Sequence, residues 1–270
     1  MKKKTLALAL AGVLCLSLLS ACGSKPSGAT VLKVGASPAP HAEILEVAKE
    51  LLAKENIELQ IVEYNDYIVP NEAVESGEND ATYFQHITYM NDFNVEHGTH
   101  LAAVADIHYE PFGIYAGKTA ALTDLADGAT IGIPNDPTNG GRALLLLQEQ
   151  GLITLSEGVG LTPTPLDIVE NPHNYKIEEL EAAQLPRSLD SLDVAVINGN
   201  FAIDAGLKVS DALAVESADG TAGTAYVNVL AVKEGNEDNE AIQKLVEALQ
   251  SAEVKDFIDK TYGGAVVAVF

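Results

Sequence analysis

The residues best placed to do chemistry lie between Ile131 and Gly151, in the stretch IGIPNDPTNGGRALLLLQEQG. An apolar run, Ile131 to Ile133, gives way to a loop of Pro, Asn, Asp, Thr and Gly, and then to an apolar helix-forming segment. Pro134 and Pro137 forbid both a continuing strand and an early helix, so a strand–loop–helix unit is predicted. Gly140 and Gly141 remove side chains just before the helix and let another group approach the backbone. A helix start presents unpaired N–H groups and the positive end of its dipole, and Arg142 adds a planar fork of donors. Together these predict a cradle for a small anion, most simply a carboxylate. The plainer alternative is an ordinary strand-to-helix loop with Arg142 on a solvated face. Spacing excludes nucleotide chemistry: no Lys with Ser or Thr follows the glycines, and no G-x-G-x-x-G occurs.

Aromatic and imidazole groups are unevenly spread. Most of the 9 Tyr and 6 Phe fall between Tyr64 and Tyr115, several at strand ends or turns, notably Tyr67 in NDYIVPNE and Phe84 in YFQH. An aromatic wall suits an apolar or thioether group, because sulfur contacts ring edges favourably; core packing is the competing use. His41, His86, His97, His100 and His108 also fall in the first half of the chain. They offer a transition-metal site as one reading, and for His86 a neutral hydrogen-bonding group in a cleft as another. No thiol or His-rich tract accompanies them, and no metal ligand is assigned. Catalysis has no signature here, with neither a G-x-S-x-G elbow nor an H-E-x-x-H helix; no catalytic residue or cofactor is predicted, and a cleft enzyme remains the weakest alternative.

The elements that must position these groups follow from periodicity. Val31 to Ala36, a helical stretch from His41 to Lys54, and the alternating Ile57, Leu59 and Ile61 make a βαβ unit, which predicts a parallel sheet. Strands are also expected at Asp80 to Phe84, at Ala129 to Ile133 and at Val194 to Ile197. Helices are expected at Val69 to Glu75, at Ile87 to Glu96 and, as one tail, at Asn239 to Thr261. Two long β-prone runs, Leu101 to Ala116 and Ala225 to Val232, read as crossings. The expectation is α/β: two lobes, residues 31–112 plus 225–270 and residues 113–224, with two crossover strands and a ligand cleft between the lobes.

At the front, Lys2-Lys3-Lys4, the apolar run Thr5 to Leu19 and Leu19-Ser20-Ala21-Cys22 read as a lipoprotein signal peptide, residues 1–21. Cys22 would carry diacylglycerol, and residues 22–30 would be a lipidated tether, placing the protein on the outer face of the cell membrane. Of 2 Cys, Cys15 leaves with the signal and Cys22 is used for lipid, so no disulfide is expected. A formal net charge of −23 argues against a nucleic-acid partner, which needs a basic face. A positive pocket in so acidic a chain has to be built locally, which returns attention to Arg142.

Several segments carry a resemblance: NDYIVPNEAVESGENDATYFQH, IHYEPFGIY, IPNDPTNGGRALLLLQEQGLI, GVGLTPTPLDIVENPHNYKIEELEAAQLPRSLDS, AVINGNFA and YVNVLAV. The chain resembles the methionine-binding lipoproteins of the MetQ/NlpA type over nearly its whole mature length. The resemblance implies a two-lobe periplasmic-binding-protein fold, type II-like. It also implies capture of L-methionine, or of D-methionine or a Gly-Met dipeptide as in related members. Delivery would be to an ABC importer, its permease and its ATPase. Arg142 resembles the arginine that clasps the ligand carboxylate, and Asn198 and Asn228 the asparagines that hold the amino-acid backbone. Tyr67, Phe84 and His86 resemble the side-chain pocket, and His108 and Tyr109 lie where further side-chain contacts are placed. Glu110 either faces the ammonium group or caps the crossing, with the cap favoured. Gly199-Asn200 departs from the small or hydroxyl residues common after VIN and leaves the reach of Asn200 open.

Overall fold

The computed structural model describes residues 28–218 and 222–270. The expected signal peptide, the lipidated Cys22 and most of the tether lie outside the described residues. Strands in chain order are β1 Thr30–Ala36, β2 Ile57–Glu63, β3 Ala81–His86, β4 Leu101–Tyr109, β5 Gly113–Ala116 and β6 Thr130–Pro134. They continue with β7 Thr154–Leu155, β8 Ile168–Glu170, β9 Lys176–Leu180, β10 Val194–Ile197, β11 Ala214–Val215, β12 Val227–Lys233 and β13 Val267–Ala268.

Two main sheets result, ordered β13-β4-β12-β3-β1-β2 and β11-β5-β10-β6-β9. In the first, β1 runs parallel to β3, while β12 lies antiparallel between β3 and β4. In the second, β10 is parallel to β6 and antiparallel to β5, and β6 is parallel to β9. Sequence explains the ranks. β3, β10 and β12 are buried along almost their whole length, as strands covered on both faces must be; β10 (VAVI) is wholly apolar, while β3 and β12 also carry buried polar groups, among them His86 and Asn228. β2 (IELQIVE) alternates at its start and sits at an edge.

Each sheet has its own core. Val34, Ile44, Leu45, Tyr83, Ile107, Leu230, Leu245 and Ile258 pack in the first, and Phe112, Ile114, Ile131, Ile133, Leu144, Leu147 and Val196 in the second. The chain leaves the first sheet between β4 and β5, through Glu110–Phe112, and returns between β11 and β12. These passages are bonded to each other: Glu216 N–H donates to the Phe112 carbonyl at 2.9 Å, and Phe112 N–H donates to Glu216 Oε1 at 3.0 Å.

Two elements differ from the sequence expectation. The tail is two helices, Glu240–Leu249 and Ala252–Tyr262, because Ser251 caps the second by accepting from Val254 N–H. His41 precedes its helix, which runs Glu43–Leu52; the PAPHA segment before it turns His41 fully into the interior. Among the described residues no helix is long and apolar enough to cross a membrane.

Candidate functional site

Strand β6 ends in the turn that starts the helix Pro137–Glu149, and this helix brings the first functional groups inward. Asp136 caps it, its Oδ1 accepting from Asn139 N–H at 2.9 Å and from Thr138 Oγ1 at 3.0 Å. The positive end of the helix is therefore already occupied by a carboxylate of this chain. The paired glycines also lie inside the helix, not before it. A Cβ on Gly140 would stand 2.8 Å from the Pro134 carbonyl oxygen, and one on Gly141 2.7 Å from the Leu161 carbonyl oxygen. They admit neighbouring backbone, and the anion-binding capacity expected of the helix start passes to Arg142, one turn further in.

Arg142 is 4 % exposed, with its guanidinium between the rings of Tyr226 and Phe112, at 4.2 and 4.7 Å from their centroids. Nε donates to both Glu216 oxygens at 3.1 and 3.0 Å, and Nη2 donates to Glu216 and to the Glu110 carbonyl at 2.9 Å. Burial works against the Arg142 charge, but Glu216 more than offsets it and the pKa rises. Glu216 also accepts from the Tyr109 hydroxyl at 2.7 Å. One carboxylate thus ties the arginine to both passages between the lobes. Nη1 carries none of these bonds.

Asn139 is the second hub. Its Nδ2 donates to Asp136, which leaves Oδ1 to accept from Asn198 Nδ2 at 2.7 Å and from His86 Nε2 at 3.1 Å. The tautomer of His86 follows: its Nδ1 accepts from Tyr89 N–H at 3.0 Å, so Nε2 bears the proton. Burial, with Arg142 nearby, pushes the His86 pKa down to about 3, and the ring is a neutral donor. Among the described residues, the buried Asn198 Oδ1 has no hydrogen-bond partner.

Facing these groups, Tyr67, Phe84 and Tyr89 form a wall of tilted and edge-on rings, with centroids 5.6 Å apart for Tyr67–Phe84 and 5.5 Å for Tyr67–Tyr89. Tyr67 reaches across to the other lobe: its ring is 4.9 Å from that of Phe201, and its hydroxyl donates to Asn200 Oδ1 at 2.6 Å. Between wall and hubs is a narrow cleft, lined also by Glu110, Asn198, Gly199 and Asn228.

Of the residues singled out in the sequence, Arg142, Asn198, Asn228, Tyr67, Phe84 and His86 line this cleft. His108 and Tyr109 sit one layer behind it, because β4 turns their side chains onto partners of their own. His108 Nε2 contacts Glu110 Oε1 at 2.7 Å and Nδ1 contacts the Tyr83 hydroxyl, while Tyr109 is held on Glu216. The sequence cluster of histidines disperses in space. His97 stacks on Phe93 and His100 lies by Glu75, whereas His41 and His108 converge on Glu110 with ligating atoms within 4.8 Å of one another. That donor set could approach a metal ion only by giving up bonds already made: His41 Nδ1 meets Ser37 Oγ at 2.6 Å and Nε2 meets Asn228 Oδ1 at 3.0 Å, and both nitrogens of His108 are likewise engaged.

Sequence reasoning missed Asn139, Glu216 and the role of His41. Asn139 lay within the quoted loop without a role of its own. Glu216, in AVESADG, has no local signal that separates it from a surface glutamate.

The model of a family described as NlpA lipoprotein matches residues 32–270. The D-methionine-binding lipoprotein MetQ of Salmonella typhimurium is 43% identical over 254 residues, 92% of each chain. A membrane lipoprotein of Treponema pallidum is 41% identical over 269 residues, 99% of each. Among solved structures, a nutrient-binding protein from Burkholderia cenocepacia bound to methionine superposes with a TM-score of 0.84 at 43% identity, covering 88% of this chain and 100% of that one.

Proposed function

The chain belongs to the NlpA lipoprotein family, and from that premise we propose that it is a lipid-anchored extracytoplasmic receptor that captures methionine and delivers it to an ABC importer. Its fold is the two-lobe α/β architecture of substrate-binding proteins. The observation that carries the ligand assignment is the unpartnered Asn198 Oδ1, a buried acceptor on the cleft wall. A buried carbonyl without a donor is costly, on the order of 1–3 kcal/mol, and a ligand N–H group relieves it.

Around that atom each end of methionine has a counterpart. Arg142 receives the carboxylate, through the end of its fork not committed to Glu216. Asn228, its Oδ1 engaged by His41, donates through Nδ2. The thioether chain lies against Tyr67, Phe84 and Tyr89, with the neutral His86 at the edge. His108 and Tyr109 act from behind, by holding Glu110 and Glu216. Cys22 carries the lipid, and the permease and its ATPase are the protein partners.

Calorimetric titration of the ligand-stripped protein with L-methionine, D-methionine, Gly-Met and Zn²⁺ tests this reading. Saturable binding of L-methionine is expected; preference for D-methionine or Gly-Met reassigns the ligand within the same cleft. Tight Zn²⁺ binding with no response to any of the three would overturn it. Mass spectrometry of ligand retained on purification gives an independent identification.

A further inference from the structure

Two half-buried side chains are exchanged between the two halves of the fold. Tyr67, which follows β2 of the first sheet, packs against the cluster of Tyr115, Leu185, Leu192, Ile197 and Phe201 built on the second. Ile203, which follows β10 of the second sheet, packs against the core of the first, with Ile44, Leu45 and Tyr83 among its members. Tyr67 lines the cleft and Ile203 does not. Ligand contact thus accounts for one side of the exchange only.

Both sides of the exchange meet on one short helix, Gly199–Asp204. Asn200 accepts the Tyr67 hydroxyl bond at 2.6 Å, and Phe201 stands 4.9 Å from the Tyr67 ring. Ala202 turns back into the second-sheet cluster, and Ile203, one residue on, turns to the first core. The helix lies against the PAPHA segment, Pro38–Ala42. That segment is suited to act as a seat. Pro38 and Pro40 fix two of its φ angles, so its shape is set before anything docks on it. Ala39 and Ala42 present only methyl groups, both are buried, and Ala42 belongs to the core that Ile203 joins. An apolar side chain placed there is removed from water, and it returns to water when the two halves part.

We propose that Ile203 is a positioning residue for ligand capture: seated beside PAPHA, it holds the lobes closed around a ligand that it never touches, and so sets affinity without setting selectivity. The proposal rests on the reading of the cleft as a methionine site and adds to it a residue outside the cleft. Binding to a two-lobe receptor is weakened in proportion to the fraction of molecules that are not closed. A contact made on closure raises the closed fraction for every ligand alike, whereas a residue in the cleft discriminates among ligands. Tyr67 does both, since it lines the cleft and also bonds to Asn200. Ile203 does the first alone.

Calorimetric titration with L-methionine and with norleucine, on the wild type, Ile203→Ala and Ile203→Val, reads the effect. Ile203→Ala is expected to weaken methionine binding about five- to tenfold and norleucine binding by the same factor. Ile203→Val removes a single methylene and should show a smaller factor, again shared by both ligands; it keeps the test open if Ile203→Ala fails to fold. Stopped-flow release of methionine should quicken along with the loss of affinity. Leu207→Ala is the control. Leu207 is also half-buried but packs in the second-sheet cluster, so its loss should leave methionine affinity within about twofold of wild type. Small-angle scattering of the ligand-stripped proteins should give Ile203→Ala a larger radius of gyration than the wild type. Unchanged methionine affinity in the Ile203 variants would overturn the proposal, as would an equal loss in Leu207→Ala. A factor that differs between the two ligands would overturn it too, because the change would then reach the cleft through PAPHA and the His41–Asn228 bond. A wild type that binds no methionine would instead sink the methionine reading, and equal radii of gyration would then decide against Ile203.

Discussion

Phe84 and Tyr89 on one side of the cleft, and Arg142 and Asn139 on the other, are all nearly buried, yet different forces hold them. The aromatic side is continuous with a hydrophobic cluster that includes Val74, Met90, Phe93 and Val229, so its shape is set by packing. The opposite side is fixed by directed bonds: Asp136 orients Asn139, Asn139 orients Asn198, and Glu216 orients Arg142. Packing makes a surface that accepts any apolar chain of the right volume. Directed bonds make a surface that accepts one arrangement of charges. On the proposed reading, side-chain size is read by the packed groups and the amino-acid end by the bonded ones.

The largest effect expected is at Arg142. Removing one partner of a buried ion pair costs about 3–5 kcal/mol, since the other charge is stranded. Arg142→Met should therefore lower unfolding stability by that amount and weaken methionine binding by more than tenfold. Adding Glu216→Gln separates the two roles: denaturant melts should recover most of the stability, while calorimetry should show binding still lost. Recovery of binding in the double variant would show that Arg142 does not hold the ligand carboxylate.

Acid comes second, and it acts on the bonded network through His41, His86 and His108. Burial lowers all three pKa values, to about 4, 3 and 3. Below an ordinary value of about 6.5 the unfolded chain takes up protons that the native one refuses. Stability is thus complete above that pH and falls as pH drops toward about 4, on the order of several kcal/mol in all. Glu110 opposes this in part: its raised pKa contributes stability at low pH that is lost as pH rises through it. Thermal melts between about pH 7 and 4 should show the decline. Replacing His86 by Gln should flatten it, and an unchanged slope would mean that His86 is not held neutral.

A smaller change probes the packed side. Phe84→Leu keeps an apolar filling and should cost less than about 1.5 kcal/mol in stability. It should narrow the preference for methionine over alanine but leave the loss on removing the ligand carboxylate unaltered. Loss of both discriminations together would erase the division between packed and bonded groups.

How far the sequence disclosed this arrangement depended on the same distinction. Strand and helix positions were legible because burial leaves a periodic record, as in the apolar run Val229–Val232 of β12 or the alternation that opens β2. Arg142 was legible because a lone cation after a glycine-rich turn is conspicuous in so acidic a chain. Glu216 was not, since one carboxylate among 39 acidic residues carries no mark of the arginine it will meet 74 positions away. The paired glycines misled for a related reason. Close approach was legible, but not the approaching groups: Gly140 meets the Pro134 carbonyl of its own loop, and Gly141 meets the Leu161–Thr162 backbone beyond the end of the helix. His108 and Tyr109 were placed near the cleft by resemblance, and only their bonds to Tyr83, Glu110 and Glu216 reveal that they lie behind it.

The smallest expected effect lies where the two sides touch, at the bond from the Tyr67 hydroxyl to Asn200 Oδ1. Tyr67 belongs to the packed side and Asn200 to the bonded one, so this contact joins the two. Tyr67→Phe leaves the ring stacked on Phe84 and Phe201 and removes only the donor, for about 1 kcal/mol of closed-state stability. The expected readout is a roughly fivefold faster release of methionine in stopped-flow experiments, with unfolding stability nearly unchanged. Part of that loss arises because Asn200 Oδ1 is left buried without a donor. Replacing Asn200 by Ala as well removes the stranded acceptor, and the double variant should release ligand no faster than Tyr67→Phe alone. Additive effects would mean that the two side chains act independently, and that closure is governed by the Tyr67–Phe201 ring contact instead of by this bond.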